Sequence, residues 1–431
     1  MTILALAVTF VVLTVLGMPI AFVIGSACLV ALLISGQSLT LLSHFMYIGV
    51  DSFVLVAVPM FVLTGEIMLK GRMTGALTDF ADVIVGRIRG GMGHTNIAAS
   101  VFFAGITGSA SADTTALGSV LIPTMAEKGY SRAYATAVTI ASSVIGPIIP
   151  PSLTFVIYAM AVGGVSVGEL FLAGIIPGVL VAIALMVMNY RISLARNYEK
   201  RTERYSVGFV LTTVRRSLLV LVMPVLIVVG VLSGDFTATE AAAVASIYAL
   251  VICMVVTRTL KFRELPDVFF STAKTSSIMF LLLATSSVLS YILATQGVPT
   301  MIANSFQAVT DNKYVFLMLM NISLLMIGLV LDLFPAIIIF GPIFAGIAQS
   351  YGVDPVQFGV VFCVNLLIGL NTPPVGSGLF LGAAVGKVRL EDLIREVRPF
   401  ILMEIVVLLI LTYVPFLTTT LPRTVMGFFG G

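Results

Sequence analysis

The sequence predicts an all-α polytopic membrane protein made of inverted structural repeats, with two re-entrant helical hairpins and two broken helices. Three observations carry this. Of 431 residues, 59% are apolar and only 10% are charged, with a mean hydropathy of +1.13, whereas a soluble chain has about a quarter of its residues charged. Glycine, proline and polar residues interrupt apolar stretches that are long enough to enter a bilayer. Those interruptions recur in pairs about 220 residues apart. The shortage of charge excludes a soluble enzyme, a disordered regulator and a nucleic-acid binder. The net charge of +3 sits in loops, so it informs topology rather than partners.

In chain order, the amino terminus lacks a basic segment and a small-residue cleavage motif, so no cleaved signal peptide is expected. Apolar stretches of spanning length lie near 3–34, 52–69, 133–162, 170–190, 217–232, 236–257, 275–295, 314–331, 356–385 and 399–418. Two more, 97–125 and 326–348, are interrupted by Gly105–Ala116 and Gly328–Pro335, and read as re-entrant hairpins. The stretches 133–162 and 356–385 are broken at Gly146–Pro151 and at Thr372–Gly376. Proline removes a backbone donor and clashes with the preceding turn, so neither is a continuous helix. Unwound backbone at membrane depth is tolerated only where it is buried or lines a polar cavity. The linker 191–216 carries seven basic residues against two acidic ones and is expected on the cytoplasmic side. Its second half reads equally as an interfacial amphipathic helix or as a solvated loop. Cys28, Cys253 and Cys363 stand singly in apolar runs as small buried hydrophobes, and His44 and His94 are too few and too separated for a metal centre.

The pairing is in register. Asp113 precedes Pro123 by ten residues, as Asp332 precedes Pro342. Gly129 lies 21 and 22 residues before Pro150-Pro151, as Gly352 does before Pro373-Pro374. Glu169 lies eight residues before Pro177, as Glu391 does before Pro399. Loop charge sets the relative orientation. Lys128 and Arg132 follow the first hairpin, and 163–169 has no base; in the second unit 349–355 has none, and 386–398 carries Lys387, Arg389, Arg395 and Arg398. The units are therefore inverted, with hairpin one opening to the cytoplasm and hairpin two to the outside. Inverted repeats with paired discontinuous helices point to a secondary transporter with its site near the midplane.

The domains expected are N-terminal scaffold helices over 1–95 and a first repeat with its transport elements and a scaffold helix over 96–190. The basic linker 191–216 follows, then scaffold helices over 217–310, the second repeat over 311–398, and a C-terminal scaffold helix and tail over 399–431.

Chemistry concentrates at the interruptions. The first tip offers Thr107, Ser109, Ser111, Asp113, Thr114 and Thr115. Hydroxyls, freed carbonyls and a carboxylate are the hard oxygen donors that a small cation needs, and a half-helix starting near Asp113 offers orphan N–H groups to an anion. Asp332 is the matching intramembrane carboxylate; a charge at that depth is costly enough that function is its default reading. Glu240 is a further functional candidate, or the first-turn carboxylate of a helix capped by Thr237 or Thr239. Asn96, Asn321, Asn365 and Glu404 are expected to form interhelical hydrogen bonds.

The strings GITGSASADTTALGSVLIPTM, ASSVIGPIIPPS, GDFTATEAAAVASIYAL and FGVVFCVNLLIGLNTPPVGSGLF closely resemble the large membrane subunit, M or DctM type, of TRAP (tripartite ATP-independent periplasmic) transporters, over essentially the whole chain. Ala238 departs from the family's more frequent proline, and Thr107 stands where serine is common, keeping the hydroxyl. The resemblance implies an elevator-type transporter of the ion-transporter superfamily in the bacterial inner membrane, with sodium as coupling ion and no other cofactor. It implies import of a small organic anion: a C4-dicarboxylate, a sialic acid or another sugar or keto acid. It also implies a small four-helix membrane subunit on a separate chain and a soluble periplasmic binding protein. Carried onto this sequence, one sodium site would involve Thr107, Ser109, Gly146, Ile149 and Pro151, and a second Asp332, Thr372, Val375 and Gly376. Substrate would sit near Ser111 and Asp113.

Two rivals remain. A stand-alone divalent-anion/sodium symporter also pairs inverted hairpins. An intramembrane aspartyl protease could use Asp113 and Asp332 as a dyad, but neither lies in a Gly-x-Gly-Asp context and the symmetric proline pairs would be unexplained.

Overall fold

The computed structural model describes residues 1–198, 200 and 205–429, and contains no strand among the described residues. Helices α1 (Thr2–Val15) and α2 (Ile20–Ile34) pack side by side. The single span expected over 3–34 is thus two short helices, because Gly17 at φ +77° and Pro19 end the first and start the second. They are followed by α3 (Thr40–Val50), α4 (Ala57–Lys70) and α5 (Met73–Val85), of which α3 and α5 were not expected. Hairpin one is α6 (Gly91–Thr107) and α7 (Ala110–Glu127), and the first broken helix is α8 (Arg132–Ser143) with α9 (Leu153–Val162). Helix α10 (Val167–Ala195) closes the first repeat.

Part of the basic linker, 199 and 201–204, lies outside the described residues. Its second half is helical rather than a loop. Ser206 accepts from the Phe209 N–H, and α11 (Val207–Leu232) runs without interruption from that cap. Helix α12 (Ala238–Leu250) continues through a π-helical turn to Val256, and α13 (Leu265–Thr295) and α14 (Val298–Val309) follow. Hairpin two is α15 (Lys313–Val330) and α16 (Leu333–Ser350), so the separate span expected over 314–331 is its first arm. The second broken helix is α17 (Pro355–Leu370) with α18 (Ser377–Gly386), and α19 (Leu390–Tyr413) leads into α20 (Phe416–Phe429) with a bend of 59°. Among the described residues seven helices, or eight if the bent pair is one span, are long and apolar enough to cross a membrane. The chain is a membrane protein.

Two inverted repeats, α6–α10 and α15–α19, interlock. Both proline pairs, Pro150-Pro151 and Pro373-Pro374, have cis peptide bonds at the helix breaks. Helix α7 lies on α8 and α18, and α16 lies on α9 and α17, so each hairpin touches both broken helices. Helices α10 and α19, expected among the scaffold, pack against one another and along α6, α8 and α17. On the other side α2 and α3 pack on α13, and α4 packs on α12 and α13.

Buried polar groups mostly follow expectation. Asn96 donates to the Thr139 hydroxyl (2.8 Å), Asn321 to the Thr412 hydroxyl (2.9 Å) and Asn365 to Asn321 Oδ1 (2.9 Å). Glu404 differs: it is buried on α19, and among the described residues neither of its carboxylate oxygens has a hydrogen-bond partner.

Candidate functional site

The first tip is set by Gly108, whose φ of +56° ends α6, and whose Cα lies so close to the second proline that a Cβ there would meet the Pro151 carbonyl oxygen at 2.7 Å. Hairpin one is thereby seated on the break of the first broken helix. Asp113, one turn into α7, is fully buried. Its Oδ1 accepts a hydrogen bond from the Thr107 hydroxyl, while its Oδ2 has no hydrogen-bond partner among the described residues. That bare oxygen faces Gly146, where a Cβ would collide with it; glycine is needed so that the unwound backbone can approach the carboxylate. Thr107, Asp113, Gly146 and Pro151 therefore converge. Ile149 turns its side chain toward Gly178 of α10, which leaves only its backbone to act here. Ser109 faces another way: its hydroxyl is 3.1 Å from that of Ser111, and both line the cavities described next.

A cavity of about 260 Å³ lies between the two tips, lined by Ser109, Ser111, Ser143, Asp332, Asn371 and Ser377 among others. The first turns of four half-helices open onto it: α7 after Ser109, α9 after Ser152, α16 after Asp332 and α18 after Gly376. Only α9 has a side-chain cap, from Ser152; the starts of α7, α16 and α18 have none. Uncapped N-termini leave backbone donors and the positive ends of the helix dipoles facing the cavity. No basic side chain lines it.

Asp332 is exposed in this cavity and accepts a hydrogen bond from the Ser377 hydroxyl at 2.7 Å. Thr372 and Gly376 shape the second break from within, Thr372 donating to the Ile368 carbonyl (2.7 Å) and Gly376 N–H to the Thr372 carbonyl (3.3 Å). The side chain of Val375 is half exposed. The partner that the structure gives Asp332 is thus Ser377, not these three.

Two expectations need correction, and of the two readings of Glu240 the helix cap is the one observed. Asp113 was placed with the substrate, but it is buried and lines neither cavity, because α7 starts at Ala110 and carries Asp113 a full turn past the tip. The two carboxylates match in distance to their prolines but not to their tips: Asp332 is itself the N-cap of α16, while in hairpin one Ser109 takes that place. They also form no dyad, since one bonds Thr107 and the other Ser377. Glu240 is an exposed helix cap: Thr237 N–H donates to its carboxylate (2.8 Å) and its own N–H donates to the Thr237 hydroxyl (3.3 Å). Two further residues complete the lining. Thr154, on the first turn of α9, lines the cavity with a buried and unpartnered hydroxyl. Asn371 lines it and donates to the Ile140 carbonyl (2.8 Å), tying one broken helix to the other. Both lie next to break residues that sequence did mark, but which way each side chain turns depends on the packing.

The profile of the family described as the tripartite ATP-independent periplasmic transporter, DctM component, matches residues 7–417. The chain is 37% identical over 418 residues to the sialic acid TRAP transporter large permease protein SiaM of Vibrio cholerae, covering 96% of each chain. It is 36% identical over 398 residues to the C4-dicarboxylate TRAP transporter large permease protein DctM of Pseudomonas aeruginosa, covering 92% of this chain and 93% of that one. Among solved structures, the Alcanivorax borkumensis YdaH transporter shares the fold with a TM-score of 0.54 at 14% identity, over 89% of this chain and 86% of that one. With a family match across nearly its whole length and no enzyme among these relatives, the chain belongs to the large permease subunits of TRAP transporters.

Proposed function

We propose that the chain carries a small organic anion into the cell by sodium symport and an elevator motion. In this reading it sits in the bacterial inner membrane with a small four-helix membrane subunit, and a periplasmic binding protein delivers the substrate. The observation that carries this is the 260 Å³ cavity between the hairpin tips, onto which three uncapped half-helix N-termini open with no basic side chain nearby. Such a site favours an anion through backbone donors and dipoles. Two relatives are named for carboxylates, sialic acid and a C4-dicarboxylate.

Sodium coupling is supported by the oxygen sets. Around Asp113 stand the Thr107 hydroxyl and the Gly146 backbone, with one carboxylate oxygen lacking a donor among the described residues, and the Pro151 carbonyl lies beside neighbouring Gly108. A cation there would offset a buried charge that costs at least about 2.5–3.5 kcal/mol in mid-membrane. Around Asp332 stand the Ser377 hydroxyl and the second break. Each charge entering down the potential contributes about 2.3 kcal/mol per 100 mV, and a tenfold sodium gradient about 1.4 kcal/mol per ion. Two sodium ions with one monoanion then supply on the order of 5 kcal/mol. For the elevator, helices α6–α10 and α15–α20 form the moving body, and α1–α4 with α11–α13 form the frame it slides along.

The test is uptake by proteoliposomes holding the chain with its small membrane partner and loaded binding protein. Accumulation should require an inward sodium gradient. Equal uptake with choline or potassium in place of sodium, sustained by a proton gradient alone, would refute the coupling.

A further inference from the structure

A second cavity of about 320 Å³ adjoins the first along the tip of hairpin one; Ser109, Ser111, Phe334 and Leu381 line both. One wall belongs to α7, with Ser111 and Thr115. The opposite wall belongs to α4 and α13, with Glu66, Thr275 and Met279. Helix α4 is held close to the tip, since a Cβ on Gly65 would lie only 3.7 Å from Thr107 Cα. That approach fixes the next residue, Glu66, beside the hydroxyls of the tip. Glu66 is the single charged side chain lining this cavity, and it has no ion pair or side-chain hydrogen bond among the described residues. The nearest base along its helix, Lys70, lies one turn on and faces Asp267 at 3.9 Å. Across both cavities the charged lining groups are two carboxylates, Asp332 and Glu66, with no lysine, arginine or histidine.

We propose that Glu66 is a substrate-selecting residue: it accepts hydrogen bonds from hydroxyl groups on the tail of the transported acid and turns away acids with a second carboxylate. The proposal rests on the anion-transport reading above and narrows it. The uncapped N-termini form one anion-binding locus, so a single carboxylate is accommodated there. Any tail extending past Ser109 and Ser111 enters the Glu66 cavity. An ionised carboxylate has acceptors only, so it pairs with hydroxyl donors and repels a second carboxylate. Ser111, Thr115 and Thr275 can both donate and accept, which suits a polyhydroxylated tail. The favoured substrate class is therefore a hydroxyl-bearing monocarboxylate, and a short dicarboxylate is disfavoured. Because Glu66 stands on α4, in the frame rather than on a hairpin, it meets the substrate only when the moving body brings the tip alongside.

The test measures dissociation constants for D-gluconate and succinate on the purified chain with its small membrane partner, in sodium and in choline. It compares wild type with Glu66→Gln and Glu66→Asp. In wild type with sodium, gluconate should bind about tenfold or more tighter than succinate. Glu66→Gln should close most of that gap by tightening succinate, while Glu66→Asp, which keeps the charge, should preserve the preference. Wild-type preference for succinate, or an unchanged ratio in Glu66→Gln, overturns the proposal. The two readings fail separately: sodium-dependent binding with an unchanged ratio removes only the role of Glu66. Absence of sodium-dependent binding of either acid removes the anion-symport reading and this proposal with it. Both variants are at a partly exposed position, and their unliganded melting temperatures check that they fold.

Discussion

Replacing Thr107 by valine tests the buried carboxylate most directly. Valine keeps the shape and removes the hydroxyl, which is the hydrogen-bond donor that the structure gives to Asp113. Oδ2 is already without a partner, so in Thr107→Val neither oxygen of a fully buried carboxylate would have one. A hydrogen bond to a charged group contributes about 1.5–3 kcal/mol. If that bond holds the carboxylate oriented for a cation, its loss should weaken sodium binding by roughly 10- to 150-fold. Thr107→Ser keeps the donor and should stay within about threefold of wild type, allowing for the lost methyl group. The assay is the sodium concentration giving half-maximal uptake in proteoliposomes, together with sodium-dependent thermal stabilisation of the purified protein. Thr107→Val should raise both midpoints; its unliganded melting temperature should fall as well, because a buried acceptor loses its donor, so the midpoints are compared where both proteins are folded. A sodium midpoint within threefold of wild type in Thr107→Val would refute the argument and leave Asp113 a structural group.

Other consequences follow from the same geometry. With Cys28, Cys253 and Cys363 changed to alanine, a cysteine at the exposed Glu127 should label from the cytoplasmic side and one at the exposed Ser350 from the outside; labelling of both from one face would refute the inverted topology. Glu240→Ala removes half of a capping box and should lower the melting temperature slightly. Transport per folded molecule should be unchanged, and a lost rate at full stability would return Glu240 to the mechanism. A Cβ on Gly105 of α6 would collide with Pro224 Cγ and lie 2.8 Å from Pro224 Cβ on α11, so Gly105→Ala should slow transport or lower stability, and Pro224→Gly in the same chain, which removes both atoms, should restore much of it. No rescue by the second substitution would show that the contact is not what limits the variant.

How much could be read in advance differs element by element. Low charge, spanning apolar stretches and mid-span proline pairs are local properties, and they were enough to place the hairpins, the broken helices and the duplication. The swap of loop charges likewise lies in the sequence, because charged loops cross a bilayer only at high cost. Hydropathy could not divide 3–34, since Gly17 and Pro19 interrupt the hydrogen-bond ladder without lowering the apolarity of the run. It left 207–216 open between a helix and a loop, and the Ser206 cap of a continuous α11 decides for the helix.

The site divides in the same way. Residue type and spacing marked both tips and both breaks, because glycine, proline and hydroxyl side chains clustered within an apolar run point to unwound backbone, whereas single prolines such as Pro123 and Pro342 sit inside helices. Equal spacing to a proline made Asp113 and Asp332 look equivalent, yet one is buried against Gly146 and the other lies open beside Ser377. The difference arises because α7 begins one turn earlier relative to its proline than α16 does. Where a helix starts depends on the surface its tip packs against, here the Pro151 carbonyl beneath Gly108. Composition and periodicity are properties of a chain alone, and by themselves they determined a membrane protein of two inverted, interrupted repeats. Which oxygen is left bare, which N-termini share a cavity and which wall carries Glu66 are relations between segments far apart in sequence, and only the tertiary packing decided them.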